Sequence, residues 1–153
     1  MARIDEQIAK TLNVPLERAP VADLIGMELK SAGRGMATFT LRVDRRHHNP
    51  MGSVHGGILC DLADASMGVA VISTLGKDET FTTLELKTTF LRPVFEGLLT
   101  CEAKVVNRGK HIAYVEASIT NEAGKLVARA VSTNMVISRE GDPDAFHHKP
   151  RPV

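Results

Sequence analysis

The spacing of apolar and polar positions changes along this chain, and those changes mark its elements. In 36–44, Ala37, Phe39, Leu41 and Val43 alternate with Thr38, Thr40 and Arg42. Side chains of an extended strand point alternately to opposite faces, so this pattern predicts a half-buried strand. After a loop over 47–54 that holds Asn49, Pro50 and Gly52, the period lengthens. Positions 58–75 run seventeen steps without a proline, room for one long helix. Ile58, Leu59, Leu62, Ala63, Ser66, Val69 and Ala70 share one broad face; Cys60, Asp61, Asp64, Met67, Gly68 and Val71 take the other. A helix with a solvated side would show Lys, Glu or Gln there. Around Asp64 the residues are small or apolar, so both faces are expected to be covered.

The remainder reads mainly as strands: 81–91, closed by Arg92 and Pro93; 98–107; 111–120 after the turn at Arg108, Gly109 and Lys110; and 126–137 after the turn at 121–124. Toward the N-terminus, 4–12 predicts a short helix with Ile4, Ile8 and Leu12 on one side, 20–29 leads into a first strand, and Gly33, Arg34 and Gly35 form a turn. The expected organisation is an N-terminal helical extension over 1–20, one domain over 21–138 and a loosely ordered tail over 139–153. The fold class is α+β. An antiparallel sheet curved around one buried helix is the simplest way to cover both helix faces.

Composition narrows the partners. The 153 residues suit one domain with a full core, 43% are hydrophobic, and only 4% are aromatic. The core must therefore be aliphatic. A net charge of +1 gives no global field for nucleic acid or an anionic membrane. From the polar, acidic start no secretory signal is expected, no window reaches the roughly 18 apolar residues of a spanning helix, and Cys60 and Cys101 look like small buried thiols. The expected location is cytoplasmic. Asp44, His47 and His48 cluster in a loop without metal-ligand spacing, so neither a metal nor a cofactor is expected.

Chemistry concentrates where the long helix begins: Asn49, then His55-Gly56-Gly57 six residues on, Asp64 nine residues after the histidine, and Gly68 four beyond it. Glycines there allow a tight turn and close approach of a ligand to the backbone. The unpaired first-turn amides and the helix dipole offer a place for an oxyanion. Together with the element order, these residues resemble the hotdog fold, and within it the acyl-CoA thioesterases related to the phenylacetate-pathway and human thioesterase-superfamily enzymes, part of the 4-hydroxybenzoyl-CoA thioesterase superfamily. The similarity spans about 21–137.

The resemblance implies hydrolysis of acyl-CoA thioesters, with roles for named residues. Asp64 is the nucleophile or the base that activates water, and the Gly56 N–H polarises the thioester carbonyl. Asn49 helps orient the carbonyl or the water, His55 organises the loop or assists at the carbonyl, and Thr83 holds the water. Thr82 is adjacent, and a one-residue slip would exchange their faces. The bland alternatives are a structural buried carboxylate at Asp64 and a satisfied loop histidine at His55. Asp61 is assigned to structure or the pocket rim.

Gly56 and Asp64 lie roughly 12 Å apart along one helix at about 1.5 Å per residue, too far for one thioester. A two-fold dimer with antiparallel helices brings the helix start of one subunit to the partner's Asp64. A homodimer is therefore expected, and a homotetramer as a dimer of dimers. The CoA phosphates are expected at Arg108, Gly109, Lys110 and His111, or at Arg45, Arg46 and Arg92, although either group reads equally well as solvating charge. Met67, Val71, Leu84 and Phe90 are candidate walls for the acyl pocket. Two other functions remain open: an acyl-CoA or acyl-carrier-protein binding protein without turnover, and a hydratase or dehydratase on the same fold.

Overall fold

The computed structural model describes residues 19–139, together with Glu6, Ala9 and Lys10, which are helical. The rest of the expected helix over 4–12 and the tail from 140 lie outside the described residues. The elements run α1 (Pro20–Ile25), β1 (Met27–Gly33), β2 (Met36–Val43), a 3-10 turn (Arg45–His47), α2 (Gly56–Ile72), β3 (Glu79–Phe90), β4 (Gly97–Arg108), β5 (Ile112–Thr120) and β6 (Leu126–Ser138). One six-stranded antiparallel sheet results, ordered β1-β2-β4-β5-β6-β3, and α2 touches every strand of it. Hairpins join β1 to β2, β4 to β5 and β5 to β6, whereas α2 separates β2 from β3 and sends β3 to the far edge.

Local residues explain the breaks. The 20–29 segment, expected to lead into a strand, first makes the short helix α1, because Pro20 suits a first helical position. Gly26 ends it with a left-handed φ of 85° and donates its N–H to Ala22 O at 2.8 Å. The predicted turn at Gly33, Arg34 and Gly35 is tight enough that all three have positive φ, and the Gly35 N–H donates to Ser73 Oγ at 2.8 Å, tying the hairpin to the end of α2.

The core lies between α2 and the inward rows of the sheet, with Leu41, Leu62, Leu99, Val115 and Ile119 at 1% exposure or less. Each such side chain contributes about 1.5–3 kcal/mol by leaving water. The buried positions of α2 are Leu59, Leu62, Ala63, Ser66, Met67, Ala70 and Val71. At about 100° per residue they cover half of the helix circumference. Met67 and Val71, which shared the second face in the expected pattern, are 1% and 0% exposed and pack in the core. The other half, with Gly57, Asp61 and Asp64 exposed and Ala65 and Gly68 half-buried, is only partly covered by the described residues.

Candidate active site

The loop before α2 is held by its own polar groups. Asn49 Oδ1 accepts from the N–H groups of Met51 at 2.9 Å and Ser53 at 3.3 Å, and Asn49 Nδ2 donates to Ser53 Oγ at 3.1 Å. Asn49 therefore shapes the turn, its carbonyl oxygen is committed, and any direct role at a substrate falls to its remaining amide hydrogen. Buried His47 takes the Asp44 N–H on Nδ1 at 3.0 Å and donates from Nε2 to Ile25 O at 2.8 Å. The His55 N–H donates to His47 O, and the Val54 N–H to Val94 O, both at 2.8 Å. The helix start is thus fixed from two sides before any ligand arrives.

His55 is the N-cap: its Nδ1 accepts from the Gly57 N–H at 2.9 Å, which places the ring proton on Nε2. The Ile58 N–H goes to His55 O at 3.0 Å, leaving the Gly56 N–H without a hydrogen-bond partner among the described residues. Neither Gly56 nor Gly57 has a positive φ, so neither is required by a tight turn. They are required by close approach. A Cβ on Gly56 would stand 2.9 Å from Phe90 Cζ, and one on Gly57 3.0 Å from His55 Nδ1. The Phe90 ring, 52% exposed, lies where a Gly56 side chain would begin, at the start of the helix.

Two turns along α2, Asp64 faces outward, with the Thr83 hydroxyl of β3 near its carboxyl. Desolvation pushes the carboxyl above its ordinary value of 3.8. The Asp61 charge one turn earlier adds to the rise. The side chain is open to water in the single chain, so the desolvation comes from apolar neighbours on its inner side.

Thr83, and not Thr82, meets Asp64 because of a β-bulge. The β3–β6 register shifts between Thr83 and Glu85. Phe81 and Leu86 both pack on the core although five residues apart, an odd spacing that a regular strand would put on opposite faces. Leu84 sits at the bulge and is 57% exposed. Thr83 Oγ1 also donates to Asn134 Oδ1 at 3.1 Å, and Asn134 Nδ2 donates to Ser132 Oγ at 2.9 Å. Sequence reasoning missed these two β6 residues. The available signal was a pair of polar residues, Ser132 and Asn134, on the inward row of Ala128, Ala130 and Val136.

The proposed phosphate-binding turn lies elsewhere. Arg108 Nη2 pairs with Glu79 Oε2 at 2.6 Å, and Glu79 also accepts the Gly76 N–H at 2.8 Å. That backbone bond, then Arg108, holds the Glu79 carboxyl below its ordinary range. The Arg108 charge is thereby partly neutralised, while Lys110 and His111 project into solvent beyond Gly109. In the other group Arg46 is bound to Asp44 at 2.7 Å, and Arg45 and Arg92 are exposed. The structure therefore brings Asp64 and Thr83 together, holds Asn49, His55 and Gly56 at the helix start, and puts the 108–111 turn beyond the opposite end of α2.

A family model described as the thioesterase superfamily matches residues 51–128, just over half of the chain and inclusive of Gly56, Asp64 and Thr83. The chain belongs to this superfamily. It is 31% identical to the 1,4-dihydroxy-2-naphthoyl-CoA hydrolase of Listeria monocytogenes over 69% of this chain and 85% of that one. It is 29% identical to acyl-coenzyme A thioesterase 13 of Homo sapiens over 69% of this chain and 76% of that one. Among solved structures, the E. coli PaaI protein from the phenylacetic acid degradation operon superimposes with a TM-score of 0.76 at 29% identity, covering 86% of this chain and 92% of its own. The thioesterase-superfamily architecture is the hotdog fold, as the helix and antiparallel sheet show.

Proposed function

We propose that this thioesterase-superfamily enzyme hydrolyses acyl-CoA thioesters to free acid and CoA at a site completed by a second copy of the chain. The observation that carries the reading is the pair of features on one helix: an unpartnered Gly56 N–H at its start and a desolvated Asp64 on its open face two turns later. Gly56 donates to the thioester oxygen, which becomes an oxyanion on attack. Asp64 attacks directly, or takes a proton from the water that attacks. With water as the nucleophile, collapse breaks the C–S bond and the proton held by Asp64 reaches the departing thiolate. With Asp64 as the nucleophile, collapse expels the thiolate, solvent protonates it, and water then hydrolyses the mixed anhydride to free acid and the Asp64 carboxylate. Phe90 and the neighbouring inward face of β3 border the acyl group. Lys110 and His111, with Arg108 and Gly109 behind them, meet the CoA phosphates at the far end of the partner's helix.

Two further features support the dimer. The outer half of α2 carries Gly57, Ala65 and Gly68, small residues that permit close packing. The twelve residues of β3 form a sheet edge with one side unpaired among the described residues. An uncovered edge of that length favours pairing with another strand.

The first test is a thiol-release assay across short, medium, long and aryl acyl-CoAs, with Asp64→Asn as the control. Binding without turnover above background would replace this reading with a carrier or sensor. Sharing of the site is tested by mixed dimers of Asp64→Asn with Gly56→Pro. Proline removes the amide hydrogen, is tolerated at a first helical position, and follows His55, which is already extended. Phe90→Ala is included in all chains to make room for the ring. Equal co-refolding makes half the dimers mixed, each with one intact site, so about a quarter of the Phe90→Ala activity returns if the site is shared. No recovery would place both groups in one chain's site.

A further inference from the structure

Asn134 is 1% exposed and Ser132 2% exposed, both on the inward row of β6. Burying an amide without compensation costs several kcal/mol in an apolar medium, so the partners of Asn134 define what it does there. Asn134 is the register partner of Thr83 on one side and of Ala113 on the other. Its Nδ2 donates to Ser132 Oγ at 2.9 Å and makes a longer 3.5 Å contact with Ala113 O.

The backbone carbonyl of Ala113 only accepts, which turns the Asn134 NH2 group toward β5 and leaves Oδ1 facing Thr83. Oδ1 also only accepts, so the bond at 3.1 Å takes the single Thr83 hydroxyl hydrogen. That hydrogen cannot then serve Asp64. What Thr83 presents toward the helix is its lone pairs.

We propose that Asn134 is a positioning residue for hydrolysis, acting through Thr83: by taking the Thr83 hydrogen it converts that hydroxyl into an acceptor for the attacking water. The proposal rests on Asp64 being the group that activates this water. The water then donates one hydrogen to Thr83 Oγ1 and the other to Asp64, and its oxygen lone pair is left for the thioester carbon. Were Thr83 to donate to Asp64 instead, the carboxylate would be a weaker base and the water would lose one of its two anchors. The chain from Ala113 O through Asn134 to Thr83 therefore sets hydrogen-bond direction at a reacting position that Asn134 does not touch. The register shift after Thr83 leaves its hydroxyl bonded to Asn134 and near the Asp64 carboxyl.

The test is a kinetic double-mutant cycle on the full-length enzyme with Asn134→Ala, Thr83→Val and the double variant. Loss of the acceptor is expected to lower kcat about tenfold with KM within twofold, the size of one well-placed hydrogen bond. The double variant is expected to match Thr83→Val, because without the hydroxyl Asn134 has nothing to orient. Reductions that multiply, a loss carried by KM, or a kcat for Asn134→Ala within twofold of wild type would overturn the proposal. If Asn134→Ala does not fold, Thr83→Val/Asn134→Leu, apolar on both sides of the lost bond, is compared with Thr83→Val alone; equal kcat supports the proposal and a further tenfold loss overturns it. Full activity of Asp64→Asn would instead remove the underlying mechanism, a separate result.

Discussion

Replacing Asp64 by Asn should make the protein more stable and nearly inactive, and the two effects come from one cause. The substitution keeps the shape of the side chain and removes its charge. In the folded chain that charge is disfavoured first by desolvation and further by Asp61, so the carboxyl titrates above its ordinary 3.8. Between 3.8 and the raised value the folded state holds more protons than the unfolded state, and stability falls as pH rises through that window. Asn never ionises. Its advantage is therefore present at neutral pH and disappears below about 3.8, where Asp64 is protonated in both states.

A tenfold change in proton affinity corresponds to about 1.4 kcal/mol, but the carboxylate is open to solvent on one side, so screening reduces the gain to below about 1 kcal/mol. For a domain of this size that is a rise in Tm of about 1–3 °C. Loss of a general base lowers turnover by about 10²–10⁴-fold. Thermal melts at pH 7 and pH 3, paired with the thiol-release assay, measure both effects. A lower Tm at pH 7, or a gain that persists at pH 3, would refute the desolvation argument. Undiminished turnover would refute the catalytic role.

Three other outcomes are expected. Thr88 carries a buried hydroxyl with no partner among the described residues, so Thr88→Val should be neutral or stabilising by up to about 1 kcal/mol in denaturant melts. Lys110→Ala should raise KM for acyl-CoA a few-fold with little change in kcat, and should weaken the dependence of KM on salt; an unchanged salt dependence would move the phosphates away from this turn. Gly57→Ala forces the His55 ring from its 3.0 Å approach and should cost about 1 kcal/mol through loss of the cap, read as a lower denaturation midpoint.

Much of the scaffold was legible because it rests on local rules. The alternation in 36–44 and the turn residues at 121–124 placed β2 and the β5–β6 hairpin within a residue or two of their observed bounds. The proline-free run after His55 placed the long helix, and its end at Ile72 came three residues before the expected limit. The spacing of Asn49, His55, Gly56 and Asp64 pointed to the superfamily that the family match then established.

What local rules could not supply was anything set by one element against another. The helical wheel groups Met67 and Val71 with Asp64, but the sheet covers half of the helix circumference and takes these two into the core while Asp64 stays exposed. The choice between Thr82 and Thr83 depended on a bulge, which is a property of the β3–β6 register and not of β3 alone. Of the two reasons the sequence offers for the glycines at the helix start, a tight turn and close approach to the backbone, the turn needs no positive φ there, and two rings, Phe90 and His55, lie where a Cβ would stand. Arg108 read as a free cation until Glu79, 29 residues earlier, was folded against it. Asn134 was only a polar residue in a late strand until pairing on both sides placed it between Thr83 and Ala113. Sequence by itself determined the elements and the chemical groups, because periodicity and capping act over a few residues. Tertiary structure decided which groups meet and which way their hydrogens point, because only packing brings distant donors and acceptors within about 3 Å of each other.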